Sequence, residues 1–152
     1  MKIVSIGDPV LITKTSEVER DKVNEIIKLC IDEMIPLMKE NHGAGLAAPQ
    51  VGISSSFFVS SNDSDPIFIN PEIVKYSKEK MLRLEGCLSI PSTLDSKDRK
   101  GEKVAVERSI GVKVKYVNSK GVVDTKYFTG LLANVIQHEY DHLQGILITD
   151  KL

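Results

Sequence analysis

Hydrophobic and polar positions follow different rhythms along the chain. From 20 to 41, Val23, Ile26, Ile27, Cys30, Met34, Leu37 and Met38 recur at spacings of three and four, which predicts an amphipathic helix. Pro36 falls inside that stripe and predicts a kink or a division, because it donates no N–H and crowds the preceding turn. Residues 1–19 read as an extended lead-in with a turn at Gly7-Asp8-Pro9, and 42–56, rich in Gly, Ala and Ser, as loop. Phe57-Phe58-Val59 and Ile67-Phe68-Ile69 are apolar runs of strand length, bounded by Asn62-Asp63 and Asn70-Pro71. Residues 72–76 and 80–84 are expected to add strands. Val112, Val114 and Tyr116 alternate with Lys113 and Lys115, the period of a half-buried strand. Asn118-Ser119-Lys120-Gly121 then predicts a hairpin turn into a strand over 122–128. A second helix follows, with Thr129 as its cap, Leu131, Leu132, Val135 and Ile136 on its apolar face, and Gly145 as its stop. Alternating Ile146 and Ile148 predict a brief strand in the tail. This order argues for an α+β fold: one domain over 1–152, with an N-terminal helix and antiparallel or mixed sheets around the second helix.

Composition narrows the functional classes. Of 152 residues, 20 are Lys or Arg and 21 Asp or Glu, so the net charge of −1 removes the electrostatic case for a dedicated nucleic-acid binder. No apolar run approaches the roughly 20 residues of a membrane span, and the first residues lack the apolar core of a secretory signal. Two cysteines make no disulfide framework and point to a reducing compartment. Charge is concentrated at 97–103, and 92–103 is expected to be a solvated loop.

The second helix carries Gln137-His138-Glu139-Tyr140-Asp141-His142. His138 and His142, at i and i+4, share one helix face and can bind one ion, while Glu139 can reach a water on that ion without being a ligand. A catalytic site of this kind needs a third protein ligand and an open position. His42, Cys30, Cys87 and many carboxylates are available. Cys30 lies on the apolar stripe and reads as a core thiol. His42, at a helix end, reads as a partner for the helix dipole. Cys87 lies in Glu85-Gly86-Cys87-Leu88-Ser89, where Gly86 permits a close approach and a thiolate could join the two imidazoles, but taken alone it too reads more often as a buried core thiol. Gly43-Ala44-Gly45-Leu46-Ala47-Ala48-Pro49-Gln50 also lets the backbone come near a ligand, and Gln50 has an amide N–H₂ to offer an oxyanion.

These three segments, in this order, resemble the three signature motifs of the peptide deformylase family, and the likeness runs from Ile6-Gly7-Asp8-Pro9 through Phe68-Ile69-Asn70-Pro71 to about Leu147. The resemblance implies that Cys87, His138 and His142 hold one divalent metal ion per chain. Ferrous iron is the family's usual metal, with zinc, nickel or cobalt as substitutes. It makes Glu139 the general acid/base, and Gln50 and the Leu88 backbone N–H the oxyanion donors. Gly45 and Arg108 match positions that help hold the peptide. The implied reaction is hydrolytic removal of the N-formyl group from nascent chains beginning with formyl-methionine, in a bacterial, phage-infected or organellar cytoplasm. A tight wall at Gly45 and Leu46 is expected to exclude an acetyl methyl, and Leu131 and Val135 to line the methionine pocket.

The sequence departs from the family's pattern in three places: the long charged segment between Pro91 and Arg108, Pro36 in the first helix, and the stop at Leu152, where many bacterial members continue into a further helix. That helix is associated with ribosome docking, so at most weak ribosome association is expected. Two rival readings exist. A different H-E-x-x-H metallopeptidase would take a His or Glu ligand after the helix, but none follows His142. A metal-stabilised binding module without turnover needs no Glu139 and would close the site with a fourth ligand.

Overall fold

A computed structural model describes residues 1–90 and 103–151. The strands are β1 (Gly45–Ala47), β2 (Phe57–Ser60), β3 (Ile67–Tyr76), β4 (Lys80–Glu85), β5 (Val104–Ser109), β6 (Gly111–Val117) and β7 (Val123–Thr129). Five form an antiparallel sheet in the order β1-β2-β3-β6-β7, and β4 pairs antiparallel with β5 in a second sheet. The helices are α1 (Val23–Leu29), α2 (Ile35–Glu40) and α3 (Gly130–Leu143).

Strand periodicity divides the apolar residues between the two faces of the larger sheet. Phe57, Val59, Ile67, Ile69 and Leu46 point to one core, shared with Cys30, Met34 and Met38 of the N-terminal helical segment. Phe58, Phe68, Ala47, Val112, Val114 and Tyr116 point to the other, shared with Ala133, Ile136 and Leu143 of α3. Burial on both faces explains why β2 and the first half of β3 are unbroken apolar runs in the sequence. A third cluster, Cys87, Val104, Val106 and Ile148, lies beside the smaller sheet.

The predicted N-terminal helix is divided, as Pro36 requires. A π-helical stretch, Cys30–Met34, separates α1 from α2, and Pro36 sits in the first turn of α2, where a missing N–H is tolerated. Several expectations are corrected. The segment 42–56 is not all loop: β1 pairs with β2, and the 3-10 turn Ala48–Val51 follows. Asn70-Pro71 does not end a strand. It forms a bulge inside the ten-residue β3, so 72–76 continues that strand. Asn70 adopts a φ of 49° and its amide clamps Val18, accepting from the backbone N–H at 2.7 Å and donating to the carbonyl at 2.9 Å. Thr129 occupies the cap position of α3 without a capping hydrogen bond; Gly130, at φ 66°, turns the chain there. The tail is a 3-10 turn, Ile148–Lys151, not a strand, because Leu147 and Ile148 are both buried and cannot alternate in and out. The expected solvated loop falls mostly on 91–102, outside the described residues.

Phe68 has no exposed surface and stacks on Phe58 at 4.8 Å and Tyr116 at 4.5 Å between ring centroids. Phe68→Ala should therefore lower stability by about 3–5 kcal/mol, read as an earlier urea midpoint with an unchanged slope.

Candidate metal centre and its cavity

Helix α3 brings His138, Glu139 and His142 to a buried centre, and the turn after β4 brings Cys87. One ligand atom from each of Cys87, His138 and His142 falls in a group whose members all lie within 4.8 Å of one another. Cys87 Sγ is 3.4 Å from His142 Nε2. His138 Nδ1 lies 2.8 Å from Glu85 Oε1, so it donates its proton there and leaves Nε2 unprotonated when neutral. A thiolate with two imidazoles is a donor set suited to borderline divalent ions such as zinc, iron, nickel or cobalt. The surrounding charge agrees. Although burial works against it, hydrogen bonding to Cys87 and Glu85 raises the His138 pKa to about 10. Burial, with His138 and Arg108, lowers His142 to about 3, leaving a neutral imidazole with a lone pair to give. The residues fit a bound divalent ion.

Glu85 organises the centre. Burial alone would neutralise it, but Arg108 and His138 outweigh burial and hold its pKa down at about 2. Arg108 donates Nε to Glu85 Oε2 and Nη2 to Oε1, both at 2.8 Å, and Nη1 to Asp141 Oδ2 at 2.6 Å. Asn134 Nδ2 adds a donor to Glu85 Oε2 at 3.1 Å. Gln137 ties α3 to β5, accepting from the Ser109 N–H and donating to its carbonyl.

Glu139 has the opposite environment. Burial raises its pKa to about 7, against the pull of His138 and Arg108. Its Oε2 has no hydrogen-bond partner among the described residues. Room for this side chain comes from Gly45, where a Cβ would lie 2.7–2.9 Å from Glu139 Oε1, Cγ and Cδ. Gln50 is buried, its Oε1 accepting from the Ala47 N–H at 2.9 Å, and its Nε2 faces Cys87 Sγ at 3.5 Å and Ser89 Oγ at 3.3 Å.

A cavity of about 470 Å³ opens onto this centre. Gly45, Leu88, Leu131 and Val135 line it, together with Cys87, His138 and Glu139. Two sequence assignments are corrected. Leu46 is no cavity wall, because strand alternation turns it away from Gly45 into the core on the helix α1–α2 side of the sheet. Arg108 does not reach the cavity as a peptide holder, since its guanidinium is buried against Glu85 and Asp141. His42 ends the first helical segment at φ 55° and lines the exposed rim of the cavity. Cys30 is a core thiol raised to about 12 by burial. Glu85, Asn134 and Asp141 were not singled out by sequence reasoning. A signal existed for the last two: they lie on the same helix turns as His138, at i−4 and i+3.

Fold and site together define a candidate metal centre of a hydrolase type: an H-E-x-x-H helix against a β-sheet, a cysteine close enough to its two imidazoles to share an ion with them, a buried carboxylate and an adjoining cavity. The chain belongs to the polypeptide deformylase family, whose model matches residues 1–152. It is 43% identical over 151 residues to the peptide deformylase of Pseudothermotoga lettingae, covering 99% of this chain and 82% of that protein. The crystal structure of peptide deformylase from Thermotoga maritima has a TM-score of 0.85 at 42% identity, over 99% of this chain and 96% of that one. The Met-Ala-Ser-bound class I type b deformylase of Acinetobacter baumannii has a TM-score of 0.87 at 31% identity, over 100% and 98% of the two chains. Among the described residues no helix is long and apolar enough to cross a membrane.

Two outcomes follow for the metal. Cys87→Ala should lose stoichiometric metal on elemental analysis, because two imidazoles alone remain. Glu85→Gln should weaken metal affinity by about 10–100-fold in chelator competition, as expected for loss of a partner that orients a ligand.

Proposed function

We propose that this chain removes the formyl group from peptides and nascent chains that begin with N-formyl-methionine, releasing formate and a free amino terminus. One observation carries the reading: a buried carboxylate, Glu139, with an oxygen that has no partner among the described residues, stands beside three side chains able to hold a metal ion at a cavity. Cys87, His138 and His142 would hold a divalent ion, whose chemistry when bound would be Lewis acidity and a water pKa lowered toward about 7. We assign ferrous iron as the cellular ion, with zinc, nickel and cobalt as functional substitutes. Glu139 takes a proton from the attacking water as its oxygen adds to the formyl carbon. It returns that proton to the amine nitrogen as the C–N bond breaks, and a carboxylate of neutral pKa suits both transfers. Gln50 Nε2 and the Leu88 N–H donate to the oxygen that becomes negative, one such donor being worth about 3–4 kcal/mol. Gly45 leaves space for Glu139, and its closeness to that carboxylate favours a reacting carbon that bears only hydrogen.

Leu131 and Val135 form an apolar side of the pocket for the methionine side chain. Glu85, Arg108 and Asn134 act through His138 by holding its ring. The natural setting of the reaction is the cytoplasm, where nascent formylated chains are made. The near balance of charge gives little general attraction to ribosomal RNA, and we assign weak ribosome association at most. No nucleic acid or membrane is assigned as a partner.

The direct test is formate release from formyl-Met-Ala-Ser by anaerobically purified protein of measured metal content; absence of turnover with stoichiometric metal would sink the reading. Glu139→Gln should keep its metal and lose about 10²–10⁴-fold in kcat, measured by the same assay. Iron-loaded protein should lose activity in air while nickel-loaded protein persists, because iron with a thiolate ligand invites oxidation at Cys87. Parallel decay curves for the two would contradict this.

A further inference from the structure

The larger sheet ends on a long free edge. β7 is the last strand in the order β1-β2-β3-β6-β7, and among the described residues no strand pairs with its outer side. It has seven residues, against three in β1 at the opposite edge. Its pairing with β6 runs from Gly111↔Thr129 to Val117↔Val123 without a bulge, and it contains no proline. A short strand, a bulge or a proline is what usually blunts an exposed edge. Val122, Val123 and Tyr127 leave apolar surface exposed along it. The phase of the ladder fixes which backbone groups are free. At the turn the Asn118 N–H donates to the Val122 carbonyl at 2.9 Å. Bonded and non-bonded pairs alternate in an antiparallel ladder, so Asp124, Lys126 and Phe128 bond to β6. The N–H and C=O groups of Val123, Thr125 and Tyr127 therefore point outward. Thr125 agrees: its N–H donates to the Asp124 side chain at 2.8 Å, a local substitute for a strand partner.

We propose that a second copy of this chain pairs with this edge, β7 against β7 antiparallel, about a two-fold axis at Thr125. Thr125 then lies opposite Thr125, and Val123 opposite Tyr127 on either side of the axis. Each outward N–H of these residues gains a carbonyl acceptor, and the two sheets become one. The charges select both the partner and the register. Asp124 falls opposite the second copy's Lys126, and Lys126 opposite its Asp124. Moving the axis to a neighbouring residue sets Asp124 against Asp124 or Lys126 against Lys126. Unlike charges directly opposite across strands are favourable, and like charges are unfavourable. Within one chain Lys126 Nζ is 3.6 Å from Asp124 and 3.9 Å from Asp65, which holds it at the edge while leaving it accessible. A free edge can take up any extended chain through main-chain bonds. A charge pattern that is its own complement favours a copy of this chain.

The test is sedimentation equilibrium of the full chain over about 1–500 µM. A monomer–dimer equilibrium with a Kd of about 10–100 µM is expected, because pairing through one strand edge buries less than the roughly 1,200 Å² of a standard interface. A monomer over the whole range overturns the inference, whatever the variants do. Lys126→Asp should weaken association by about tenfold or more, since both attractive pairs become repulsive. The exchanged variant, Asp124→Lys with Lys126→Asp, restores unlike pairs across the axis and should recover it. Thr125→Pro removes an outward N–H without touching the ladder to β6, and should be monomeric, whereas Thr125→Val keeps the N–H and should dimerise. A dimer of unchanged strength in folded Lys126→Asp or Thr125→Pro, checked by circular dichroism, would use another surface and overturns the inference.

Discussion

The centre depends on one buried carboxylate that takes four N–H donors. Glu85 Oε1 accepts from Arg108 Nη2 and His138 Nδ1, and Oε2 accepts from Arg108 Nε and Asn134 Nδ2. The end of β4, strand β5 and helix α3 meet at this one group. Without those donors burial would protonate Glu85, and His138 would have no fixed acceptor for its Nδ1 proton. Arg108 is itself buried and depends on Asp141 for its remaining charge compensation. A network of this kind is all-or-none. Removing one member of a buried ion pair leaves an uncompensated charge, worth about 3–5 kcal/mol of destabilisation.

Two carboxylates on one site have opposite chemistry for physical reasons that the structure makes plain. Glu85 and Glu139 are both almost fully buried. Glu85 is surrounded by donors and stays charged far below neutrality, whereas Glu139 has an oxygen without a partner among the described residues and rises to about 7. Environment, rather than residue type, separates a carboxylate that orients a ligand from one able to exchange protons. The sheet contributes to the same division. Strand alternation in β1 puts Gly45 and Ala47 toward α3 and Leu46 toward the opposite core, so the one position facing Glu139 is the one without a side chain.

Local patterns in the sequence accounted for most of the elements. The apolar stripe over 20–41, its division at Pro36, the alternation of 112–116 and the helix ending before Gly145 all depend on contacts within a few residues, and each is present. The misreadings share a cause. β1 is set by pairing with β2, and the continuation of β3 through Asn70-Pro71 by pairing with the distant β6, and pairing overrides the turn chemistry of Gly, Asn and Pro. The tail follows a similar rule: Leu147 and Ile148 are adjacent and both buried, which suits a turn and not a strand that alternates in and out.

The sequence by itself determined the chemistry that one helix can hold. His138, Glu139 and His142 are arranged by the 3.6-residue period, which operates without the rest of the fold. The motif order around Gly45, Cys87 and His138 pointed to the family for the same reason, since it is carried by short contiguous stretches. Tertiary structure alone decided what Glu85, Arg108 and Asn134 do. These residues come from a strand end, a second strand and a helix, separated by 23 and 49 residues from Glu85 along the chain. A hydrogen bond between such segments has no periodicity to betray it. That is why Arg108, read from the sequence as a peptide holder, is in the folded protein the partner that keeps Glu85 charged.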